Sequence, residues 1–166
     1  MTPGNPRATV GAMAQAGRAL FLDWGGTLAR VVDGATLLDA AGDPVLESGV
    51  AEALARARPA WDACFIASNQ ARIGRGLVTA DEVLRRFRVV DRRLGGVFTD
   101  WRLCPHQDED GCACRKPRPG MFLDLARAHD IDLARSCHVG DSPKDRDAAA
   151  AAGIGRFVWA RDFFGW

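Results

Sequence analysis

Short apolar segments alternate with segments of helical periodicity along most of the chain, and this alternation strongly limits the folds that are possible. The apolar segments predict strands at 18–24, 61–68, 96–103, 136–139 and 156–160. The intervening segments predict helices at 49–58, 79–94, 119–129 and 144–152. Strands that alternate with helices form a parallel sheet covered by helices. The sequence therefore predicts an α/β fold with a central parallel sheet.

The length and charge of the chain narrow its organisation. A chain of 166 residues suits one domain, which we predict over residues 18–166. Residues 1–17 lack the order of a secretory signal and are predicted to be a flexible lead-in. No run approaches the roughly 20 apolar residues of a membrane span, and a formal net charge of +1 gives no general attraction for nucleic acid. We expect a cytoplasmic protein that binds neither membrane nor nucleic acid; the sequence specifies no protein partner.

A carboxylate and two glycines follow the first predicted strand. Asp23 ends the strand, and Gly25 and Gly26 come directly afterwards in the turn. Ligands of open parallel sheets gather at the carboxyl ends of the strands. A carboxylate there can attack phosphorus, while glycines let phosphate oxygens approach backbone N–H groups. Taken alone, the same pattern is equally typical of a turn or a helix cap.

Three further polar segments follow later elements. Ser68 and Asn69 offer a hydroxyl and an amide at a strand end, suited to a phosphoryl oxygen or to a capping turn. Lys116 brings a cation to a loop before a helix, where surface cations are usually solvated. Asp141 and Asp145 flank a turn from strand to helix and supply oxygen ligands of the kind that Mg²⁺ prefers, although either can be a helix cap. Their common order at strand ends favours one phosphate-handling site.

A second group of metal ligands lies within eleven residues of sequence. The spacing C-x-H-x₅-C-x-C provides four zinc ligands: Cys104, His106, Cys112 and Cys114. Four such ligands fill a tetrahedral shell, so a zinc ion here is predicted to be structural. The other two cysteines, Cys64 and Cys137, lie alone in apolar segments, which argues against a disulfide framework and for a reducing compartment.

Taken together, the four polar segments resemble the four motifs of the haloacid dehalogenase-like superfamily. The nearest subgroup is the small, capless phosphatases that act on histidinol phosphate and heptose bisphosphate. That resemblance is carried by Ser68–Gly76, by Cys104–Pro117 with its zinc loop, and by Gly140–Gly153. It implies a Rossmann-like three-layer sandwich and a hydrolase that uses catalytic Mg²⁺ and structural Zn²⁺ on a small phosphorylated metabolite.

The resemblance also implies roles for the residues that match. Asp23 would form an aspartyl-phosphate, steadied by Ser68 and Lys116. Asp141 would bind Mg²⁺ together with the Asp23 carboxylate, while Asp145 would support the metal or orient Lys116.

Five more residues are implied around the metal and the substrate. The backbone carbonyl of Gly25 would contact Mg²⁺, and Arg115 would reach the substrate. Asn69 is a further expected substrate contact, and Arg72 and Arg75 are outer ones.

Gly25 is also where the sequence departs from the family pattern. The family carries a second aspartate there, which acts as general acid and then general base, and such help is worth roughly 10² to 10⁴ in rate. One alternative is a phosphatase that is slow, recruits another acid or uses a good leaving group. Another is phosphonate-cleaving chemistry, disfavoured because no large cap fits between Thr27 and Ser68. The third is a non-catalytic phosphate-binding or regulatory domain.

Overall fold

The computed structural model describes residues 15–166 of the chain. The predicted lead-in therefore lies, up to residue 14, outside the described residues. A five-stranded, wholly parallel sheet forms the centre, in the order β5-β4-β1-β6-β7. Its strands are β1 (Ala19–Leu22), β4 (Ala63–Asn69), β5 (Asp100–Cys104), β6 (Cys137–Gly140) and β7 (Arg156–Trp159). A two-stranded antiparallel hairpin joins β2 (Val31–Val32) to β3 (Ala35–Thr36).

Helices cover both faces of the sheet. They are α1 (Val50–Ala57), α2 (Ala71–Gly74), α3 (Ala80–Arg93), α4 (Gly120–His129), α5 (Pro143–Ala152) and α6 (Ala160–Phe164). Short 3₁₀ turns occupy Arg58–Ala60, Asp108–Asp110 and Leu133–Arg135. None of the helices within residues 15–166 is long and apolar enough to span a bilayer.

Alternation along β1 explains the three layers. Leu20 and Leu22 enter a core shared with α1, α3 and α6, whereas Phe21 enters a second core shared with α4 and α5. All three side chains are fully buried, and each such burial contributes roughly 1.5–3 kcal/mol. The strand is apolar at every position because it is covered on both faces. The predicted α/β fold with a Rossmann-like three-layer arrangement is confirmed.

Several local features differ from the sequence prediction, including α6, which begins at Ala160, the residue predicted to end the last strand. The strand predicted at 96–103 starts only at Asp100, because Gly96 has a φ of 76° and the Phe98 N–H donates to Asp91 Oδ1 at 2.9 Å instead of joining the sheet. The hairpin over residues 31–36 was not predicted, since two-residue strands are too short to show periodicity. It lies between β1 and α1 and reaches over the carboxyl end of the sheet, where it borders the main cavity.

Candidate active site

The carboxyl ends of β1, β4 and β6 open into a cavity of about 330 Å³. Asp23 follows β1, Ser68 lies near the end of β4, and Asp141 follows β6, so three distant sequence segments meet at one edge of the sheet. Asp23 and Ser68 are buried, with exposed fractions of 8% and 1%. The cavity also takes in every other residue predicted from the sequence to serve phosphate or magnesium: Gly25, Asn69, Arg72, Arg75, Arg115, Lys116 and Asp145.

Lys116 is the centre of a buried charge network. Its Nζ donates to Asp23 Oδ1 at 2.6 Å, to Asp145 Oδ1 at 2.6 Å and to the carbonyl of Ala67 at 2.8 Å. Burial opposes the charge of Lys116, but the two carboxylates outweigh it and raise the pKa of the ammonium above its ordinary value. All three N–H bonds of Lys116 are therefore committed, and the cation holds Asp23 in place.

The carboxylates around Lys116 differ in their electrostatics. Burial raises the pKa of Asp23 to about 6, and the charge of Lys116 offsets only part of that rise. Burial also opposes ionisation of Asp145, yet Lys116 and His138 outweigh it and hold its pKa well below the usual range. Burial and the charge of Asp145 raise the pKa of Asp141. A cation near Asp23 and Asp141 would favour the ionised form of both carboxylates and so oppose the effect of burial.

Carboxylate oxygens of Asp23, Asp141 and Asp145 all lie within 4.8 Å of one another, close enough to serve one cation. Gly26 leaves room for this cluster: its φ is 75°, and a Cβ there would overlap the Asp141 carboxylate. Hard oxygen donors on a rigid sheet edge suit Mg²⁺, which takes one or two carboxylates and keeps several waters. The residues present therefore fit the metal.

Asp145 both caps helix α5 and binds Lys116. Its side chain accepts from the Ser142 N–H at 3.1 Å, and the Ser142 hydroxyl accepts from the Asp145 N–H, so the pair forms a capping box at the start of α5. The other carboxylate oxygen bonds Lys116 and faces His138 Nε2 at 3.4 Å. The helix cap thus fixes the carboxylate that orients the lysine.

Asn69 differs from its predicted role in one respect. Its Nδ2 donates to the Lys116 carbonyl at 3.0 Å, and its Oδ1 accepts from the Lys116 N–H at 3.0 Å. The amide borders the cavity, but both of its ends are engaged with the lysine backbone. Asn69 therefore positions Lys116, an interaction that sequence spacing across 47 residues does not reveal.

Cations surround the rest of the cavity, namely Arg72, Arg75, Arg86, Arg115 and Lys144. Arg115 is notable because its Nε donates to Asp108 Oδ1 at 2.7 Å, while its buried Nη1 has no partner within the described structure. An unpaired guanidinium N–H next to a cavity is satisfied by an anionic ligand. Arg86, Lys144 and Asp108 were not predicted as site residues, because nothing local in the sequence marks them.

The zinc ligands come together in the loop after β5. Cys104 Sγ lies 3.6 Å from Cys112 Sγ, and Cys114 Sγ lies 3.5 Å from Cys112 Sγ and 3.4 Å from His106 Nδ1. A tetrahedral site with Zn–S bonds of about 2.3 Å separates its sulfur atoms by about 3.8 Å. The four atoms lie within 4.8 Å of one another, so the predicted cluster can hold zinc. No cysteine within residues 15–166 forms a disulfide.

Comparison with known proteins assigns the fold to a family. The model for haloacid dehalogenase-like hydrolases matches residues 45–153, which is more than half of the chain. The chain belongs to the haloacid dehalogenase-like hydrolases. The resemblance inferred from the motifs is thereby confirmed.

Several relatives of this haloacid dehalogenase-like chain are named as heptose bisphosphate phosphatases. The D-glycero-beta-D-manno-heptose-1,7-bisphosphate 7-phosphatase of Bordetella bronchiseptica is 43% identical over 108 residues, which cover 63% of this chain and 60% of the relative. The protein of that name from Photorhabdus laumondii is 33% identical over 165 residues, covering 90% of this chain and 83% of the relative. Across the first three such relatives, the chain spans between 60% and 66% of their length.

A solved structure extends the similarity to three dimensions. The D,D-heptose 1,7-bisphosphate phosphatase from B. bronchiseptica, complexed with magnesium and phosphate, superposes with a TM-score of 0.74 at 36% identity. The superposition covers 84% of this chain and 78% of the other. The haloacid dehalogenase-like fold is therefore shared over most of the described residues.

Proposed function

We propose that this chain is a Mg²⁺-dependent phosphatase that acts on a small phosphorylated metabolite through an aspartyl-phosphate at Asp23. The observation that carries the proposal is the buried Asp23 carboxylate, held at 2.6 Å by Lys116 and within 4.8 Å of the other two acidic side chains. A carboxylate fixed in this way can attack phosphorus without reorganising. The names of the relatives favour the same reaction class.

In this proposal, Asp23 and Asp141 would hold Mg²⁺, together with the carbonyl of Gly25, and Asp145 would support them. The metal supplies positive charge beside the phosphoryl oxygens. Lys116 neutralises the nucleophile and the transferring group, and the Ser68 hydroxyl, which accepts from Gln70 Nε2 at 2.8 Å, remains free to donate to a phosphoryl oxygen. The unpaired Nη1 of Arg115 would bind a second oxygen of the substrate.

For the substrate class, we propose a phosphorylated sugar or a molecule of the histidinol phosphate class. The relatives are named for a sugar bisphosphate, and a sugar with two anionic groups suits a cavity edged by cations. Arg72 and Arg75 border the cavity beyond Asn69 and are proposed to contact the part of the substrate that does not react. A cytoplasmic location is proposed as well, because cysteines kept as thiols for zinc are typical of a reducing compartment.

The test is release of inorganic phosphate from sugar, histidinol and acyl phosphates in the presence of Mg²⁺. The native chain is expected to release phosphate, and Asp23→Asn is expected to abolish release while keeping the fold. Asp124→Asn is the matched control, since it removes an exposed carboxylate on α4 outside the cavity. Equal rates for Asp23→Asn and the native chain would contradict the proposal.

A second candidate, a phosphate-binding domain without turnover, is favoured by one observation: Gly25 lacks an acidic side chain. Such a domain would bind phosphate through Arg115 and Lys116 but release none from any substrate. Calorimetric titration with inorganic phosphate, compared with the release assay, separates the two candidates.

A further inference from the structure

The lining of the cavity around Asp23 offers no carboxylic acid, imidazole or thiol placed to give a proton to a departing oxygen. Within residues 15–166, its lining contains no Glu, His or Cys, and the chain has no Tyr at all. Its carboxylates are Asp23, Asp141 and Asp145, which converge on one point. Displacement at phosphorus is in line, so the leaving oxygen departs on the side opposite Asp23. The clustered carboxylates lie on the wrong side to protonate it.

The remaining polar groups are committed elsewhere or are too weakly acidic. The three protons of Lys116 go to Asp23, Asp145 and a backbone carbonyl. The Ser142 hydroxyl donates to Asp145 Oδ2 at 2.6 Å. Lys144 is the one other ammonium of the lining within the described residues; it is half exposed, and its Nζ faces the Asp108 carboxylate at 3.4 Å. The guanidinium groups do not give up protons in proteins.

The place where an acid would stand is partly filled. Gly25 lies two residues beyond Asp23 and borders the cavity, and a Cβ built on it would meet Val31 Cγ2 at 3.0 Å. Val31 belongs to the β2–β3 hairpin, and it also lines the cavity. A side chain at position 25 is therefore tight against the exposed Val31 side chain, which must give by a few tenths of an ångström to admit it.

We infer that this site transfers phosphoryl groups efficiently only from leaving groups that depart as stable anions, such as the carboxylate of an acyl phosphate or the phenolate of an activated aryl phosphate. The inference rests on the proposed phosphatase function, and it predicts that the sugar and histidinol esters proposed above do react, but slowly. Esters of ordinary alcohols, which need a proton as they leave, are poor substrates.

The chemistry balances without an acid. An Asp23 oxygen forms a bond to phosphorus while the bond from phosphorus to the leaving oxygen breaks, and that oxygen keeps the electron pair. The leaving anion then equilibrates with solvent protons. Water later attacks phosphorus and loses a proton to solvent while the bond between phosphorus and the Asp23 oxygen breaks, which releases inorganic phosphate and restores the Asp23 carboxylate. General acid or base help is worth roughly 10² to 10⁴ in rate, so each step that needs it is slowed by that factor.

The aspartyl-phosphate intermediate is also affected by the missing acid–base group. With a weakly basic leaving group, the first step needs no general acid and is not slowed. Hydrolysis of the aspartyl-phosphate, however, lacks a general base with every substrate. The phosphorylated form of Asp23 therefore accumulates with acyl phosphates.

The experiment compares kcat/KM for a series of para-substituted phenyl phosphates, which have nearly the same shape but phenols of different pKa. With the native chain and Mg²⁺, kcat/KM is expected to fall steeply as the phenol becomes more basic. The total fall from 4-nitrophenyl to 4-methoxyphenyl phosphate should be tenfold or more, and an unactivated sugar phosphate should be slower still. A flat profile would overturn the leaving-group restriction while leaving the phosphatase function intact.

Variants at the hairpin sharpen the test. Gly25→Asp combined with Val31→Ala supplies an acid and the room for it, and is expected to flatten the profile by accelerating the most basic leaving groups. Val31→Ala alone is the matched control and should keep the steep profile. If no phosphate ester or acyl phosphate reacts with the native chain and Asp23 gains no phosphate, the proposed function itself is overturned, and the inference falls with it.

Discussion

The molecule contains two clusters of potential metal ligands, and they are built in opposite ways. Asp23, Asp141 and Asp145 come from two strand ends and a helix start, and the parallel pairing of β1 with β6 brings them together across 118 residues of sequence between Asp23 and Asp141. The zinc ligands lie in a single loop between Cys104 and Cys114. The first cluster is assembled by the whole fold, and the second by local chain geometry.

This difference predicts how each cluster fails. Damage to the carboxylate network affects the buried centre of the sheet, because Lys116 is 2% exposed and linked to two anions. Damage to the zinc loop affects an edge of the molecule, because two of its cysteines are only partly buried and its sequence is short. Substitutions in the carboxylate network and in the zinc loop should therefore have effects of different size.

Replacement of Lys116 by Met should have the largest effect on stability. It leaves Asp23 and Asp145 buried without their cation, and loss of one partner of a buried ion pair costs roughly 3–5 kcal/mol. The free energy of unfolding, measured in urea, should fall by that amount. Lys144→Met is the matched control: its contact with Asp108 is largely exposed to solvent, so the free energy of unfolding should be nearly unchanged. Equal stability of the native chain and Lys116→Met would contradict the network.

Loss of zinc should have the next largest effect, which is on activity, and it should leave the central sheet intact. Cys112→Ser removes one of the four zinc ligands. Removal of a residue that holds active-site groups in place from outside typically lowers activity about 10- to 100-fold. We expect kcat/KM to fall within that range, because Arg115 and Lys116 directly follow the loop, while far-UV circular dichroism stays unchanged. Cys137→Ala removes a thiol outside the loop and should retain zinc. A global loss of secondary structure in Cys112→Ser would show that the loop is not locally independent.

The affinity for Mg²⁺ should depend on pH in a defined direction. Burial, the largest influence, raises the pKa of Asp23 to about 6 in the metal-free protein, so below that pH the carboxyl carries a proton that Mg²⁺ must displace. The affinity measured by calorimetry should therefore fall as pH drops through about 6, by up to about tenfold per pH unit if one proton is displaced. Affinities that are the same at pH 5 and pH 7 would be inconsistent with this competition.

Loss of the contact between the zinc loop and the cations at the cavity edge should have the smallest effect. Asp108 of the zinc loop bonds Arg115 Nε at 2.7 Å and lies 3.4 Å from Lys144, which places both cations at the cavity edge. Because the Asp108 side chain is 62% exposed, we expect Asp108→Asn to raise KM only about two- to fivefold, with kcat nearly unchanged. Glu109→Gln is the control in the same loop. An effect on kcat with KM constant would argue that Asp108 acts on the chemistry and not on binding.

The same difference explains what could be predicted from the sequence. The zinc ligands are recognisable from spacing alone, and the strands from their continuous apolar runs, since both are local signals. Asp23 was ambiguous by itself and gained meaning only from the other strand ends. The roles of Asn69 and Asp108 depend on contacts across loops that no local pattern encodes. The hairpin over Gly25 was not predicted either, because its two-residue strands are too short to show a periodic pattern.

Asp23 is proposed as a nucleophile in a site whose described residues offer no carboxylic acid, imidazole or thiol to the leaving group. The most direct measurement is peptide mass spectrometry after incubation with acetyl phosphate and Mg²⁺, comparing the native chain with Asp23→Asn. The account predicts a persistent phosphate adduct on the peptide containing Asp23 in the native chain, and no adduct in the variant. Phosphate release by the native chain with no adduct on Asp23 at any time would contradict it.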